Sequence, residues 1–175
     1  LCQAESLAIV PGTIPIASIV ANSATATGLE WQAPAAGGKV LQVVEGTTTT
    51  FTTSTSNTFI DTNLTATITP SSATSKILVI ANQAGCTKTT GNIDNNMQIR
   101  LMRDSTEISI SKQIGFTETN VANRVGSTTL VKLDSPASTS AITYKTQFRN
   151  EINTSSVTVQ QQDSASAIIL IEIGA

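Results

Sequence analysis

The chain contains no histidine, so the side chain most often used as a general base is missing before any motif is sought. A hydroxyl or thiol nucleophile would have to rely on lysine instead. Carboxylates are the remaining acid–base candidates. Glu107, Glu118, Asp134, Glu151, Asp163 and Glu172 are scattered along the chain without clustering. A glycosidase pair needs two carboxyls held a fixed distance apart across the scissile bond. Glu172 lies in an apolar run and reads as a solvent-facing strand residue, and Asp104 and Asp134 read as turn residues. The expectation is that the chain is not an enzyme and has no catalytic residues.

Metal and cofactor chemistry is equally thin. Cys2 and Cys86 belong to no paired-cysteine unit, and no histidine is available to complete a zinc set. They read as two independent thiols, with a Cys2–Cys86 bridge left open and Cys86 packed at the end of a strand. Gly91-Asn92-Ile93-Asp94-Asn95-Asn96 is the one oxygen-rich cluster, but only Asp94 is charged. A calcium loop needs several carboxylates at alternating positions, so this segment reads as a polar turn. No phosphate-binding glycine loop occurs. Arg100 and Arg103 read as a solvated strand face. Trp31 and Tyr144 are the two large amphipathic rings, few for a sugar-binding surface, and Trp31 reads as sealing a stem–head junction. No cofactor and no metal site are expected.

Composition shows which elements would have to position any site. The 175 residues are 39% hydrophobic, 3% aromatic and 13% charged. A core must therefore be built from Val, Ile, Leu and Ala. Ser and Thr make up about a quarter of the chain. Thr favours strands because its branched Cβ is stiff and packs on a pleated surface. A net charge of −2 implies no basic face, so nucleic acid is not an expected partner. No apolar run approaches the ~20 residues of a spanning helix, and no membrane insertion is expected. The chain begins at Leu1 rather than Met, which raises the expectation of a fragment or processed product.

Two regions differ in texture. Residues 1–38 hold Pro11, Pro15 and Pro34, and the aliphatics Ile9, Val10, Ile14, Ile16, Ile19 and Val20 follow no clean period. This stretch cannot bury its apolar residues within one chain. It reads as an extended stem or attachment arm, kept dry by neighbouring copies, the alternative being a mobile linker to an upstream domain. Residues 39–175 read as about nine strands separated by turns. Lys39–Glu45 is ended by Gly46. The Thr-rich run around Phe51 suits an edge strand. In Phe59–Thr69, Leu64, Ala66 and Ile68 share a face. Lys76–Asn82 is continuously apolar, the pattern of a strand buried on both faces. Gln98–Arg103 and Glu107–Lys112 flank a tight turn at Asp104-Ser105-Thr106. Val125–Leu133, Ala141–Phe148, Val157–Gln161 and Ala167–Ile173 complete the set, the last with Ile169, Ile171 and Ile173 on one face. The pattern predicts an all-β antiparallel sandwich, jelly-roll-like, after an extended N-terminal arm.

A series of motifs then resembles a known family. Gly28-Leu29-Glu30-Trp31-Gln32-Ala33-Pro34 precedes a Gly-rich step into Lys39-Val40-Leu41-Gln42-Val43-Val44. Ile68-Thr69-Pro70-Ser71-Ser72 leads into Lys76-Ile77-Leu78-Val79. Leu101-Met102-Arg103-Asp104-Ser105, Leu133-Asp134-Ser135-Pro136, Thr143-Tyr144-Lys145 and Ile171-Glu172-Ile173-Gly174-Ala175 follow in order. Together, over residues 28–175, they resemble the C-terminal head domain of tail-fibre proteins of phages, including cyanophages. The resemblance implies a β-sandwich head on a homotrimeric fibre, located on the virion, that contacts a host-surface glycan or protein receptor. The N-terminal arm would meet other virion proteins. No active site carries over from that family. Loops 86–96, 115–124 and 149–155 would present the receptor-binding tips. The alternative is a capsid decoration or cement protein, or a head fibre, with the arm laid on the shell.

Overall fold

Alternation of apolar and polar residues, with a period of two, sets the architecture of the second unit. The computed structural model describes residues 38–89, 94–152 and 155–174, together with the backbone of 18–21 and 29–32. The chain divides into a unit of residues 1–37 and a unit of residues 38–175. In the first, β1 (Ser18–Ala21) pairs antiparallel with β2 (Leu29–Gln32), placing Ile19 opposite Trp31. Ile9, Val10, Ile14 and Ile16 of the expected stem lie outside the described residues, as does the Trp31 side chain.

The second unit contains β3 (Val40–Thr48), β4 (Thr52–Ser54), β5 (Ile60–Ile68), β6 (Lys76–Lys88), β7 (Met97–Arg103), β8 (Thr106–Ile114), β9 (Asn123–Asp134), β10 (Ile142–Asn150), β11 (Val157–Val159) and β12 (Ser166–Ile173). The two short strands are continuations. β3 and β4 pair in turn with β12 and β11, which share one edge of β6, while β9 takes the other edge. A single 3-10 turn, Gln161–Asp163, joins β11 to β12. The second sheet runs β5-β10-β7-β8.

These pairings nest. β7 pairs with β8, β6 with β9, β5 with β10, and β3/β4 with β12/β11, all antiparallel. The second unit is one long hairpin with its tip at Asp104-Ser105, rolled so that its paired strands alternate between two sheets. That is the strand order of a jelly roll. The tip is the expected tight turn. Asp104 there adopts φ 50°, and its carboxylate accepts the Thr143 backbone N–H at 2.9 Å.

The interior follows the alternation. Leu64, Ala66 and Ile68 of β5 face Ile77, Val79 and Ala81 of β6, with Ile99 and Leu101 of β7, Tyr144 and Phe148 of β10, and Ile168 and Leu170 of β12. A buried polar seam ties the sheets together. Thr62 Oγ1 and Thr146 Oγ1 lie 2.6 Å apart, and Thr146 Oγ1 donates to Gln83 Oε1 at 3.0 Å. Gln83 Nε2 in turn donates to Ser166 Oγ at 3.0 Å. Each group in that chain is paired, which keeps its burial from being costly.

Three expectations need correction. β3 does not stop at Gly46 but runs through it to Thr48. Glycine is required there for a different reason: a Cβ would run into the Thr65 carbonyl oxygen of the other sheet and lie 3.1 Å from Ile168 Cγ2. Cys86 lies inside β6 rather than at its end; it is a free, fully buried thiol. The described residues do not cover β6 on both faces: Ile77, Val79 and Ala81 are inaccessible, while Leu78 and Ile80 are half-buried on the outer face.

The Gly46 contact predicts the result of one substitution. Gly46→Ala should destabilise the fold by roughly 3 kcal/mol, because relief requires backbone rather than side-chain movement. Urea unfolding checks this, and a midpoint equal to wild type would show that the two sheets are not held at this separation.

Candidate functional site

Three loops that are distant in sequence meet at one end of the sandwich. Asp94 and Asn96 precede β7, Gln113 and Phe116 lie at the end of β8 and just beyond it, and Glu151 and Ile152 follow β10. Together they line a cleft of about 280 Å³. The cleft is built by backbone hydrogen bonds. The Glu151 N–H donates to the Asn96 carbonyl at 3.1 Å, and the Phe116 N–H donates to the Gln113 carbonyl at 3.2 Å. Gln113 at φ 57° and Gly115 at φ 79° turn the chain sharply, which leaves the Phe116 ring 41% exposed at the rim.

Side chains fix the floor. Asn96 Nδ2 donates to the Asp94 carbonyl at 2.9 Å, and Asn95 Nδ2 donates to the Thr89 carbonyl at 3.3 Å. Both asparagines are buried, and Asn95 Oδ1 and Asn96 Oδ1 accept no hydrogen bond among the described residues. Lys88, fully buried in β6, donates to Thr117 Oγ1 at 2.5 Å and anchors the loop that carries Phe116. The cleft therefore offers two carboxylates, two amides and one ring face. Such a set accepts hydrogen bonds from hydroxyl-bearing ligands and stacks on an apolar surface.

The expected receptor loops are brought together here with altered limits. Of 86–96, Cys86, Thr87 and Lys88 belong to β6 and are buried, as are Asn95 and Asn96; residues 90–93 lie outside the described residues. Of 149–155, Arg149 and Asn150 belong to β10, and 153–154 lie outside the described residues. Residues 115–124 largely keep the expected exposure, although Gly115 is buried and Asn123 and Arg124 begin β9. Of the oxygen-rich segment, Asp94 is exposed at the cleft and Asn95 and Asn96 are buried. Phe116 and Gln113 were missed in the sequence. A lone Phe in a Thr-rich loop carries no periodic signal, and its exposure depends on the turn geometry.

The other candidate carboxylates are engaged elsewhere or lie apart. Glu107 pairs with Arg100 at 3.2 Å, and Glu118 and Asp163 are exposed. Asp134 is not a turn residue. It ends β9, is 7% exposed, takes two contacts of 2.9 Å from Arg103 Nη1, and accepts from Tyr144 Oη at 2.7 Å. Burial, and then that carboxylate, hold the Tyr144 phenol above its usual range. Arg103 is thus a structural partner rather than a solvated charge. Arg100 stacks on Phe59 at 4.1 Å, and Arg149 does the same at 4.6 Å. Burial pushes the Cys86 thiol up to about 12, which leaves little thiolate at neutral pH. Ser109-Ile110-Ser111-Lys112 has the spacing of a serine–lysine pair, but on β8 residues three apart project to opposite faces.

A second cleft, of about 290 Å³, is lined by Asp61, Asn63 and Lys145, where β10 slips register against β5. Its charges are already matched: Lys145 Nζ lies 2.9 Å from Asp61, and Gln147 Nε2 donates to Asp61 at 2.7 Å.

Glu172 overturns its expectation most clearly. It is fully buried on the core side of β12, beside Leu170. The strand's alternation, continued from Ile168 and Leu170, places it inward. Gln42 Nε2 donates to it at 2.6 Å, and the Ser71 N–H and Oγ each donate at 2.7 Å. Desolvation would raise its pKa, but these hydrogen bonds outweigh that and hold the pKa at about 2. The folded pKa is depressed, so the stabilisation is complete above about pH 4.5. It is lost progressively as the pH falls towards 2. Thermal melts of wild type and Glu172→Gln across that window should show a steeper acid loss for wild type; parallel pH profiles would place the carboxylate outside the folding equilibrium. No protein-family model matches the chain, and no curated protein matches it.

Proposed function

We propose that the chain is a non-enzymatic bacteriophage virion protein, the head of a trimeric tail fibre or spike that adsorbs to the host surface. The observation that carries this reading is the convergence of three separate loops on one cleft at the end of a rigid sandwich. Strand ends hold the loops while Asp94, Phe116 and Glu151 remain exposed, an arrangement that suits recognition on a fixed scaffold.

The cleft favours a glycan over a protein epitope as the receptor. It is small, about 280 Å³, and its lining of Asp94, Glu151, Asn96 and Gln113 provides acceptors for sugar hydroxyls. Phe116 provides a ring for a sugar's apolar face. One such site binds weakly. Three on one particle raise the effective affinity without further chemistry.

Surface polysaccharide extracted from candidate host bacteria and immobilised on a sensor tests this reading. Wild type should bind it, and Phe116→Ala should weaken binding about tenfold, a loss of ~1.4 kcal/mol, with an unchanged melting temperature. Equal binding by Phe116→Ala and by Glu151→Gln would remove the cleft from recognition. Release of new reducing ends from the polysaccharide would replace adsorption with hydrolysis.

A further inference from the structure

The two sheets treat their outer faces in opposite ways. On β5-β10-β7-β8 the outer face is polar and paired within itself. Arg100 Nη2 donates to Gln147 Oε1 at 2.6 Å, Arg149 Nη2 donates to Gln98 Oε1 at 2.8 Å, and Lys145 pairs with Asp61. On the sheet β3-β12-β6-β9 the outer face is aliphatic. One cross-strand row reads Val43, Ile171, Leu78, Leu133, and the next reads Glu45, Ile169, Ile80, Val131. Beyond the first row lie Val40, Ile173 and Lys76, and beyond the second lie Thr47, Ala167, Asn82 and Thr129.

This is a contiguous apolar patch, not a scatter of exposed residues. Val40, Leu41, Val43, Val131 and Leu133 are 46–62% exposed. Four strands at ~4.8 Å spacing and about five residues of ~3.3 Å rise cover on the order of 300 Å² of sheet plane. A patch of that size is comparable to the largest apolar patch on an ordinary monomer, which is often a functional surface. It matches the apolar centre of an interface burying about 800 Å² per partner, with the threonine row as its polar rim. The sequence of β6 agrees: Ile77 to Ala81 is continuously apolar, a pattern suited to burial on both faces, and the described residues cover only one.

We infer that this face docks against the same face of further copies of the chain, and that it, rather than the N-terminal arm alone, holds the heads together. The inference rests on the trimeric reading above. Two observations select a second copy as the occupant. The charged residues of this face, Glu45 at the β3 end of the second row and Lys76 of β6 beyond the first, are opposite in sign and lie on different strands, so the face presents one charge of each sign to a copy of itself. The chain also enters the sheet at the rim of this face. Val40 pairs with Ile173, and a Cβ on Gly38 would touch Ile173 Cγ2 at 3.3 Å. In the trimeric reading, heads linked through the chain before Gly38 are held at high effective concentration, which favours contact between this face and its copies.

Light scattering coupled to size exclusion, on the full chain, tests the inference. Wild type should have a mass of three times 18.2 kDa. Val43→Lys with Leu133→Lys should yield the monomer with an unchanged far-UV spectrum, a rise in dissociation constant of roughly 100-fold or more. The shape-conserving pair Val43→Thr and Val131→Thr should weaken association in the same direction without loading the fold with charge. Glu45→Lys and Lys76→Glu should each weaken the oligomer, and their combination should restore it. A monomeric wild type, an oligomer indifferent to both pairs, or a charge swap without rescue would overturn the inference. A trimer that disperses as expected yet binds no host polysaccharide would sink the adsorption reading alone. Polysaccharide binding by a wild-type monomer would do the reverse.

Discussion

The rest of the structure depends on how close the two sheets stand. With 3% aromatic residues, the interior has few large rings to hold the layers apart. Small and branched aliphatics fill it instead, and at Gly46 the backbone of one sheet approaches the Thr65 carbonyl of the other so closely that no side chain fits. The seam from Thr62 through Thr146 and Gln83 to Ser166 spans the same gap with hydroxyls and an amide. Hydrogen bonds of this kind have narrow geometric limits, whereas aliphatic packing tolerates slippage. The seam therefore adds registry to a core that contact area alone would leave less well defined.

Polar groups inside the sandwich are held by dedicated partners. Asp134 is satisfied by Arg103 and Tyr144, and Glu172 by Gln42 and Ser71. The two differ in kind. Asp134 has a cation beside it, whereas the hydrogen bonds to Glu172 come from an amide, a hydroxyl and a backbone N–H. Neither carboxylate is presented to an open cleft beside a second acid. The chemistry of these residues is accounted for by holding the fold together, whereas Asp94, Glu151 and Phe116 stand exposed around the cleft at the loop end.

The contrast between the outer faces has one physical origin. A strand residue is directed to one side or the other by its position alone, so each long strand must serve two environments. In β10, Lys145, Gln147 and Arg149 alternate with Tyr144, Thr146 and Phe148, which suits a sheet with one wet face. In β12, Ile169, Ile171 and Ile173 alternate with Ile168, Leu170 and Glu172, and the outward set is the more uniformly apolar one.

That reversal separates what was legible in the sequence from what was not. The strands, the Asp104-Ser105 turn and the inward set Leu64, Ala66 and Ile68 were readable, because period-two alternation and turn chemistry are local. The face of β12 was misread for the same reason: three isoleucines and a glutamate predict an isoleucine core and a wet carboxylate. Only the pairing with β3 and β6, which brings Gln42 beside Glu172, reverses that assignment. The sequence by itself determined the all-β class and the positions of most strands, through alternation and the branched side chains that favour a pleat. The tertiary structure decided the nesting of the hairpin, the need for glycine at position 46, and the meeting of Asp94, Phe116 and Glu151 at one cleft. Those depend on contacts between residues far apart in the chain, and such contacts leave no periodic trace in it.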